Sequence, residues 1–378
     1  MHQMQAASIY LDNAATTPAL PAVVEAMRGV LLEDFANPSS RHGMGLAAER
    51  HLRRAREIVA SRIGVEPTRL VFTSGGTEAN ALAVLGTARR SPGRRGHLLV
   101  SSIEHPSILG SADLLQREGF EVERIPVGAG GWVDPETVAG LVRESTLLVA
   151  LMHVNNETGI VQPTAEVSHA VKTRNPAALV LVDAVQSFPV LPVSPETLGA
   201  DLLSLSAHKI HGPKGTGCLV TGAGVRVAPL WGGGDQEGAT RPGTENLAGV
   251  VGFARAVELL APEPARLARL SGDLEEAVVR ARPGAYGVGD RARRAPHIVA
   301  LAVPGVSTEV LMNLLESLGV CASSGSACHG RRSLRSHVTA AMGLPPDHGV
   351  VRFSLSGTTS DDDVRRAIEI VGAALARL

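Results

Sequence analysis

The chain has 378 residues, 44% hydrophobic and 19% charged, which is ample material for more than one buried core and excludes a disordered chain. Its 36 basic residues against 37 acidic ones leave no charge excess, so neither nucleic acid nor a membrane surface is an expected partner. Cys218, Cys321 and Cys328 are too few and too scattered for a disulfide framework, no apolar run is long enough to span a bilayer, and the N-terminal MHQMQAASIYLDNAATTP does not read as a secretory signal, so a cytoplasmic location is expected.

Strand-like apolar runs alternate with amphipathic helical patterns through the middle of the chain. LVFTS leads into TEANALAVLGTAR, HLLVSS into PSILGSADLLQRE, and TLLVALMHV into PTAEVSHAVKTR, with LVLVDA and DLLSLSAHK as further strands. In DPETVAGLVRE, Asp134 is placed as an N-cap and Pro135 as the first helical residue. Such alternation predicts an α/β fold with a mostly parallel sheet covered by helices on both faces. From about Pro262 the texture changes. PARLARLSGDLEEAVVRAR, a Gly- and Arg-rich stretch, HIVALAV, TEVLMNLLESLG, VVRFSLS and SDDDVRRAIEIVGAALARL read as a smaller α+β domain. The expected division is 16–261 for the large domain, with 1–15 and 262–378 for the small one.

In a parallel α/β sheet, ligands sit beyond the carboxyl ends of the strands. Asp183 ends LVLVD; Ser206, His208 and Lys209 end LLSLSAHK; Thr73 and Ser74 end LVFTS; His105 follows HLLVSSIE. An Asp after a strand is commonly only a helix cap, but several polar residues converging on one edge point to a site. SGGTEAN sets two glycines and a Thr at a strand-to-helix turn, where backbone N–H groups favour a phosphate. It is neither a Walker loop nor a dinucleotide fingerprint.

Only three of the 36 basic residues are lysines: Lys172, Lys209 and Lys214. Arginine does not form imines, so lysine chemistry is confined to these three. Lys172 falls on the polar face of a helical pattern, and Lys214 in a Gly-Pro loop where a solvated charge is the ordinary reading. Pyridoxal 5'-phosphate needs a lysine for its imine and an acid for its ring nitrogen. Asp183 and Lys209 on adjacent strand ends supply that pair.

The motifs YLDNAATTP, NPSSRHG, VFTSGGTEAN, SSIEHPSI, HVNNETGIVQP, VDAVQS, SAHKIHGPKG, GGGDQEGATRPGTEN, SSGSAC and VRFSLS occur in this order from Tyr10 to the C-terminal helix. In them the chain resembles the cysteine desulfurases and selenocysteine lyases of the class V aminotransferase group. The resemblance implies the aspartate-aminotransferase-like fold of pyridoxal-phosphate transferases. It implies that Lys209 carries the cofactor and moves the α-proton, that Asp183 pairs with the pyridine nitrogen, that Gln186 bonds the ring phenolate oxygen, and that His105 stacks on the ring. Gly76, Thr77, Ser206 and His208 would hold the phosphate, with Thr244 of RPGTEN completing the cradle of a partner subunit in a homodimer. Asn156 and Arg352 would bind the substrate carboxylate. In VVRFSLS, Val351, Phe353 and Leu355 share one strand face and Arg352 the other; a surface arginine on an edge strand is the alternative.

Cys328 ends a run of small residues and precedes HGRRSLRSH, whose cations favour a thiolate. The resemblance makes it the nucleophile that takes sulfur from L-cysteine, leaving L-alanine and a persulfide for a sulfur-acceptor protein. Cys218, within the apolar GCLVT, reads as buried and structural, and Cys321 as structural. A metal site built from Cys321, Cys328, His329 and His337 lacks the close pairs of structural zinc sites, so no metal is expected. Arg331, Arg332 and Arg335 stand where members serving iron–sulfur cluster assembly carry small polar residues, which leaves the acceptor open. Selenocysteine lyase on the same scaffold remains an alternative, with L-selenocysteine as substrate. So do another transaminase or lyase reaction and a non-enzymatic sulfur-transfer scaffold.

Overall fold

Seven strands form the central sheet: β2 (Leu70–Thr73), β3 (His97–Ser101), β4 (Glu121–Ile125), β5 (Thr146–Met152), β6 (Leu179–Asp183), β7 (Leu202–Ser206) and β8 (Gly217–Thr221). They come from a computed structural model that describes residues 8–91, 93, 95–324 and 336–376. The spatial order is β2-β8-β7-β6-β5-β3-β4, and all strands run parallel except β8. The short hop from β7 to β8 leaves no room for the crossover that a parallel pair needs, so β8 runs back against β7.

Period-two alternation sends neighbouring residues to opposite faces. Val149, Leu151, Val180, Val182, Leu203 and Leu205 pack on one side, against the helices Pro21–Leu32, Gly43–Arg62, Thr164–Arg174 and Leu247–Leu259. Leu148, Ala150, Leu181 and Leu202 pack on the other, against Gly76–Arg89 and Pro106–Arg117. A sheet buried on both faces explains why these strands read as unbroken apolar runs. In the helix Pro135–Leu141, Asp134 is the N-cap, accepting a hydrogen bond from the Thr137 amide, and Pro135 is the first helical residue.

A second core gathers the chain's two ends. The strands β9 (Tyr286–Gly287), β10 (Ile298–Pro304) and β12 (His348–Ser354) form an antiparallel sheet in the order β12-β10-β9, and β1 (Ile9–Tyr10) pairs in parallel with β11 (Val320–Cys321). Leu267, Leu270, Leu274 and Val278 of one helix, with Val364, Ala367 and Val371 of another, cover Val299, Leu301, Val351 and Phe353; Ile9 and Leu11 join the same cluster. The last helix, Asp361–Leu375, starts with a capping box between Ser360 and Asp363. Among the described residues no helix is long and apolar enough to cross a membrane.

Cys218 lies in β8 with no exposed surface, and burial pushes its thiol well above the ordinary range. We expect iodoacetamide at pH 8 to leave Cys218 unmodified in the folded protein and to label it fully after denaturation. Peptide mass mapping checks this; alkylation of the folded protein at the rate of a free thiol would contradict the burial. Cys321 is half-buried in β11.

Candidate active site

Beyond the carboxyl ends of the parallel strands lies a cavity of about 380 Å³. Gly76, Thr77, His105, Asn156, Asp183, Gln186, Ser206, His208, Lys209 and Arg352 all line it. Of the strand-end and cofactor residues singled out in the sequence, Thr73 is buried in β2 outside its walls, and Thr244 is exposed and also outside them. Cys328 lies outside the described residues, with Arg331, Arg332 and Arg335.

Strand β6 delivers Asp183 and the adjacent β7 delivers Ser206, followed by the single turn Ala207–Lys209. One Asp183 carboxylate oxygen accepts from the Val185 amide at 2.9 Å, the other from Asn80 Nδ2 at 2.7 Å. The local turn bond is the capping role that an Asp after a strand commonly plays. The bond to Asn80 aims the buried carboxylate at the cavity they share. Lys209 Nζ donates to the carbonyls of Ala14 and Ala15. That N-terminal segment is pinned across the second sheet, where Asn13 Nδ2 donates to the Ser354 carbonyl and the Ala14 amide to Ser354 Oγ.

The helix Gly76–Arg89 opens at Gly75, whose φ of 148° suits glycine, and no side chain caps it. Its first amides are therefore available to an anion. A Cβ on Gly76 would stand 2.9 Å from Val185 Cγ2, so only glycine fits this close approach. Facing this turn, Ser206 Oγ is buried without a hydrogen-bond partner. An orphaned hydroxyl beside an uncapped helix start fits a phosphate. His208 Nδ1 pairs with Thr16 Oγ1 at 3.0 Å, and burial first, then the nearby Lys209, pushes its pKa down to about 4. A neutral imidazole there can still donate one hydrogen bond.

His105 caps the helix Pro106–Arg117, its Nδ1 accepting from the Ser107 amide at 3.1 Å. That bond occupies the Nδ1 lone pair and places a neutral ring's proton on Nε2. Gln186 Nε2 donates to the Ala14 carbonyl at 2.9 Å. The turn after β5 is built by Asn155, whose Oδ1 accepts from the amides of Glu157 and Thr158. Gly159 holds a φ of 75°, and a Cβ on it would meet the Ile298 carbonyl at 2.7 Å. This turn sets Asn156 against Arg352, whose Nη1 donates to the Asn156 carbonyl at 2.6 Å. Arg352 is only 2% exposed, so it is no surface arginine. Its Nη2 pairs with Asp12, and its Nε is buried without a partner.

Asn80, Asp12, Thr16 and Lys214 join the site without having been singled out as site residues. Lys214 is the instructive case. It is exposed, as expected of that loop, yet its amine donates to the Thr17 carbonyl at 2.9 Å and it lines the cavity beside Gly215. Lys172 is elsewhere, bridging Asp201 at 2.7 Å. Glu104, next to His105, is fully buried; desolvation pushes its pKa up to about 8, while its carboxylate accepts from Ser101 Oγ and the Met152 amide. Arg241, three residues before Thr244, pairs with Glu78 at 2.8 Å and so ties that segment to the helix start.

Residues 9–367 of the sequence match the family model "Aminotransferase class-V". The chain is 37% identical over 376 residues to a "Cysteine desulfurase IscS" of Dictyoglomus turgidum, covering 98% of this chain and 95% of the relative. A solved "NIFS-LIKE PROTEIN" superposes with a TM-score of 0.91 at 35% identity, covering 98% of this chain and all of that one. "SspA in complex with cysteine" superposes with a TM-score of 0.83 at 31% identity, covering 92% and 99%. On these full-length matches in sequence and structure, the chain belongs to the class-V aminotransferase family and, within it, to the cysteine desulfurases.

Proposed function

We propose that this chain is a pyridoxal-5'-phosphate-dependent enzyme that takes sulfur from L-cysteine and holds it on Cys328. One observation carries the reading: Lys209 and Asp183, from adjacent strand ends, share a cavity with the orphaned Ser206 hydroxyl at an uncapped helix start. When bound, the cofactor supplies an electron sink for the substrate's α-carbon. Gly76, Thr77, Ser206 and His208 would hold its phosphate, Asp183 its ring nitrogen, Gln186 its phenolate oxygen and His105 its ring face. Arg352 and Asn156 would take the substrate carboxylate, with Asp12 keeping the guanidinium oriented between turnovers. Lys209 holds and moves the α-proton.

In the overall change the C–S bond of cysteine breaks, its sulfur joins the Cys328 thiolate, and a proton replaces it at Cβ. Cysteine plus thiol becomes alanine plus persulfide. A neighbour solved with cysteine supports L-cysteine as the substrate. The persulfide would pass to an acceptor protein. A thiol that must stay free of disulfides to take sulfur at each turnover suits the cytoplasm.

A homodimer belongs to this reading. Thr244 is exposed and outside its own subunit's cavity, as a residue serving a neighbour's phosphate must be. Val24, Leu31, Leu32, Phe35, Met44 and Leu46 leave an unusual share of apolar surface on the N-terminal helical segment, consistent with a covered face. The two-domain division at 15/16 and 261/262 is drawn on the second core, which gathers Ile9 and Leu11 with Leu267, Phe353 and Val371 and also takes in Val190 from the large domain.

Borohydride reduction of the purified protein, followed by peptide mapping, tests the cofactor assignment. The expected result is a single pyridoxyl label on Lys209. A label on Lys172 or Lys214 would overturn it.

A further inference from the structure

A second cavity, of about 200 Å³, lies against Lys209 and Gln186 and shares both with the active site. It runs outward to a rim of exposed residues, Ala261, Pro262 and Glu263, where the large-domain helix Leu247–Leu259 gives way to Pro264–Ala281. Its volume has room for several waters at about 30 Å³ each. Along its wall stand Asn13, Thr17, His211 and His297, polar groups of the kind that ordered water requires.

His211 is built into that wall at a cost. Its φ of 63° is in the left-handed region, unusual for a residue other than glycine, asparagine or aspartate. Its amide donates to Thr17 Oγ1 at 2.8 Å, and its Nδ1 lies 3.0 Å from the Pro18 carbonyl. A carbonyl only accepts, so Nδ1 carries the proton and Nε2 keeps its lone pair. Nε2 is buried with no partner in the protein, in a residue only 8% exposed. Burial holds this imidazole below its ordinary pKa, against the pull of the Pro18 carbonyl, so the ring is neutral at pH 7. The charged groups lining the same cavity are Lys209 at its inner end and Glu263 at its rim.

We propose that this cavity is a water-filled passage through which the Lys209 amine exchanges protons with solvent, and that His211 Nε2 is its relay. The proposal rests on the reading of Lys209 as the carrier of the α-proton. Lys209 faces the active-site cavity and also this second one, so a proton taken from the α-carbon has an outlet to solvent that does not pass the substrate. The step moves protons only. The Lys209 ammonium gives one to a water in the passage, His211 Nε2 accepts one, and the transient imidazolium releases it towards the rim. Solvent protons travel the same path inward, and no bond other than N–H and O–H changes.

Single turnover of L-cysteine in D2O reads the passage directly, because the alanine records whether its α-hydrogen came from solvent or was returned. His211→Asn is the informative variant. Asparagine tolerates the left-handed backbone and can still donate to the Pro18 carbonyl, but has no counterpart of Nε2. The ratio of α-deuterium to retained α-protium should fall about tenfold in this variant, below the hundredfold typical of a direct acid–base residue because water remains in the passage. Ala261→Trp, at the exposed rim, should lower the same ratio without touching the site. An unchanged ratio in both variants overturns the passage. A wild-type protein that forms no alanine would instead defeat the reading of Lys209. A crystal structure of the protein as purified supplies a readout independent of turnover: ordered water bonded to His211 Nε2 is expected, and a dry cavity overturns the proposal.

Discussion

Lys209→Ala is expected to lower turnover of L-cysteine by at least about 10⁴-fold, the upper range for a positioned acid–base group, since the variant also loses the imine. Lys209 is the lysine in the turn directly after β7, and its amine, held by the Ala14 and Ala15 carbonyls, belongs to the cavity that the uncapped helix start and Asp183 also line. Lys172 is committed to Asp201 and does not line the cavity. Lys214 lines the cavity, and this makes it the proper control. Lys214→Arg keeps a cation at the mouth and should retain most activity; Lys209→Arg should not. Steady-state alanine formation by the three variants decides the matter. Recovery of Lys209→Ala by added alkylamines would strengthen the assignment, because the missing group is an amine and not a shape.

Asp183→Asn is expected to keep a cofactor bound yet lower turnover about 10²- to 10³-fold, the scale for removing one preorganised electrostatic partner. The variant has a structural cost that can be foreseen. Asp183 accepts from both Val185 N–H and Asn80 Nδ2 through separate oxygens. An asparagine has one oxygen, so one buried donor loses its acceptor at about 1–3 kcal/mol. Asn80→Ala separates the two effects, since it leaves the charge in place and removes only its anchor. A lowered thermal midpoint with near-normal turnover in Asp183→Asn would place the acidic partner elsewhere.

Much of the fold was legible because the central strands are buried on both faces and their helices are amphipathic, which are strong local signals. What escaped was weakly patterned. β4, Glu121–Ile125, is an edge strand with charges at three of its five positions, so its sequence does not stand out as apolar. The helix Gly43–Arg62 buries Gly45, Ala48, Ala55, Val59 and Ala60, mostly small side chains among many arginines, so its apolar stripe is faint.

The site divides in the same way. Residues that end strands announced themselves by following apolar runs, and the cavity brings all of them but Thr73 together. The partners that hold them did not. Asp12 meets Arg352 across 340 positions of sequence, and no local pattern joins them. Asn80 lay inside the TEAN motif, one helical turn beyond Gly76, and that spacing from the helix start was the available signal. Lys214 is exposed, as a Gly-Pro loop leads one to expect, but nothing local in the sequence says that its amine also reaches the Thr17 carbonyl and the cavity.

The most direct test of the central claim is the product made from L-cysteine by the purified protein with a thiol reductant present. Desulfuration through a protein thiolate predicts L-alanine and sulfide in equal amounts. Pyruvate and ammonia in place of alanine would mean that the site eliminates rather than transfers sulfur, and would contradict the account.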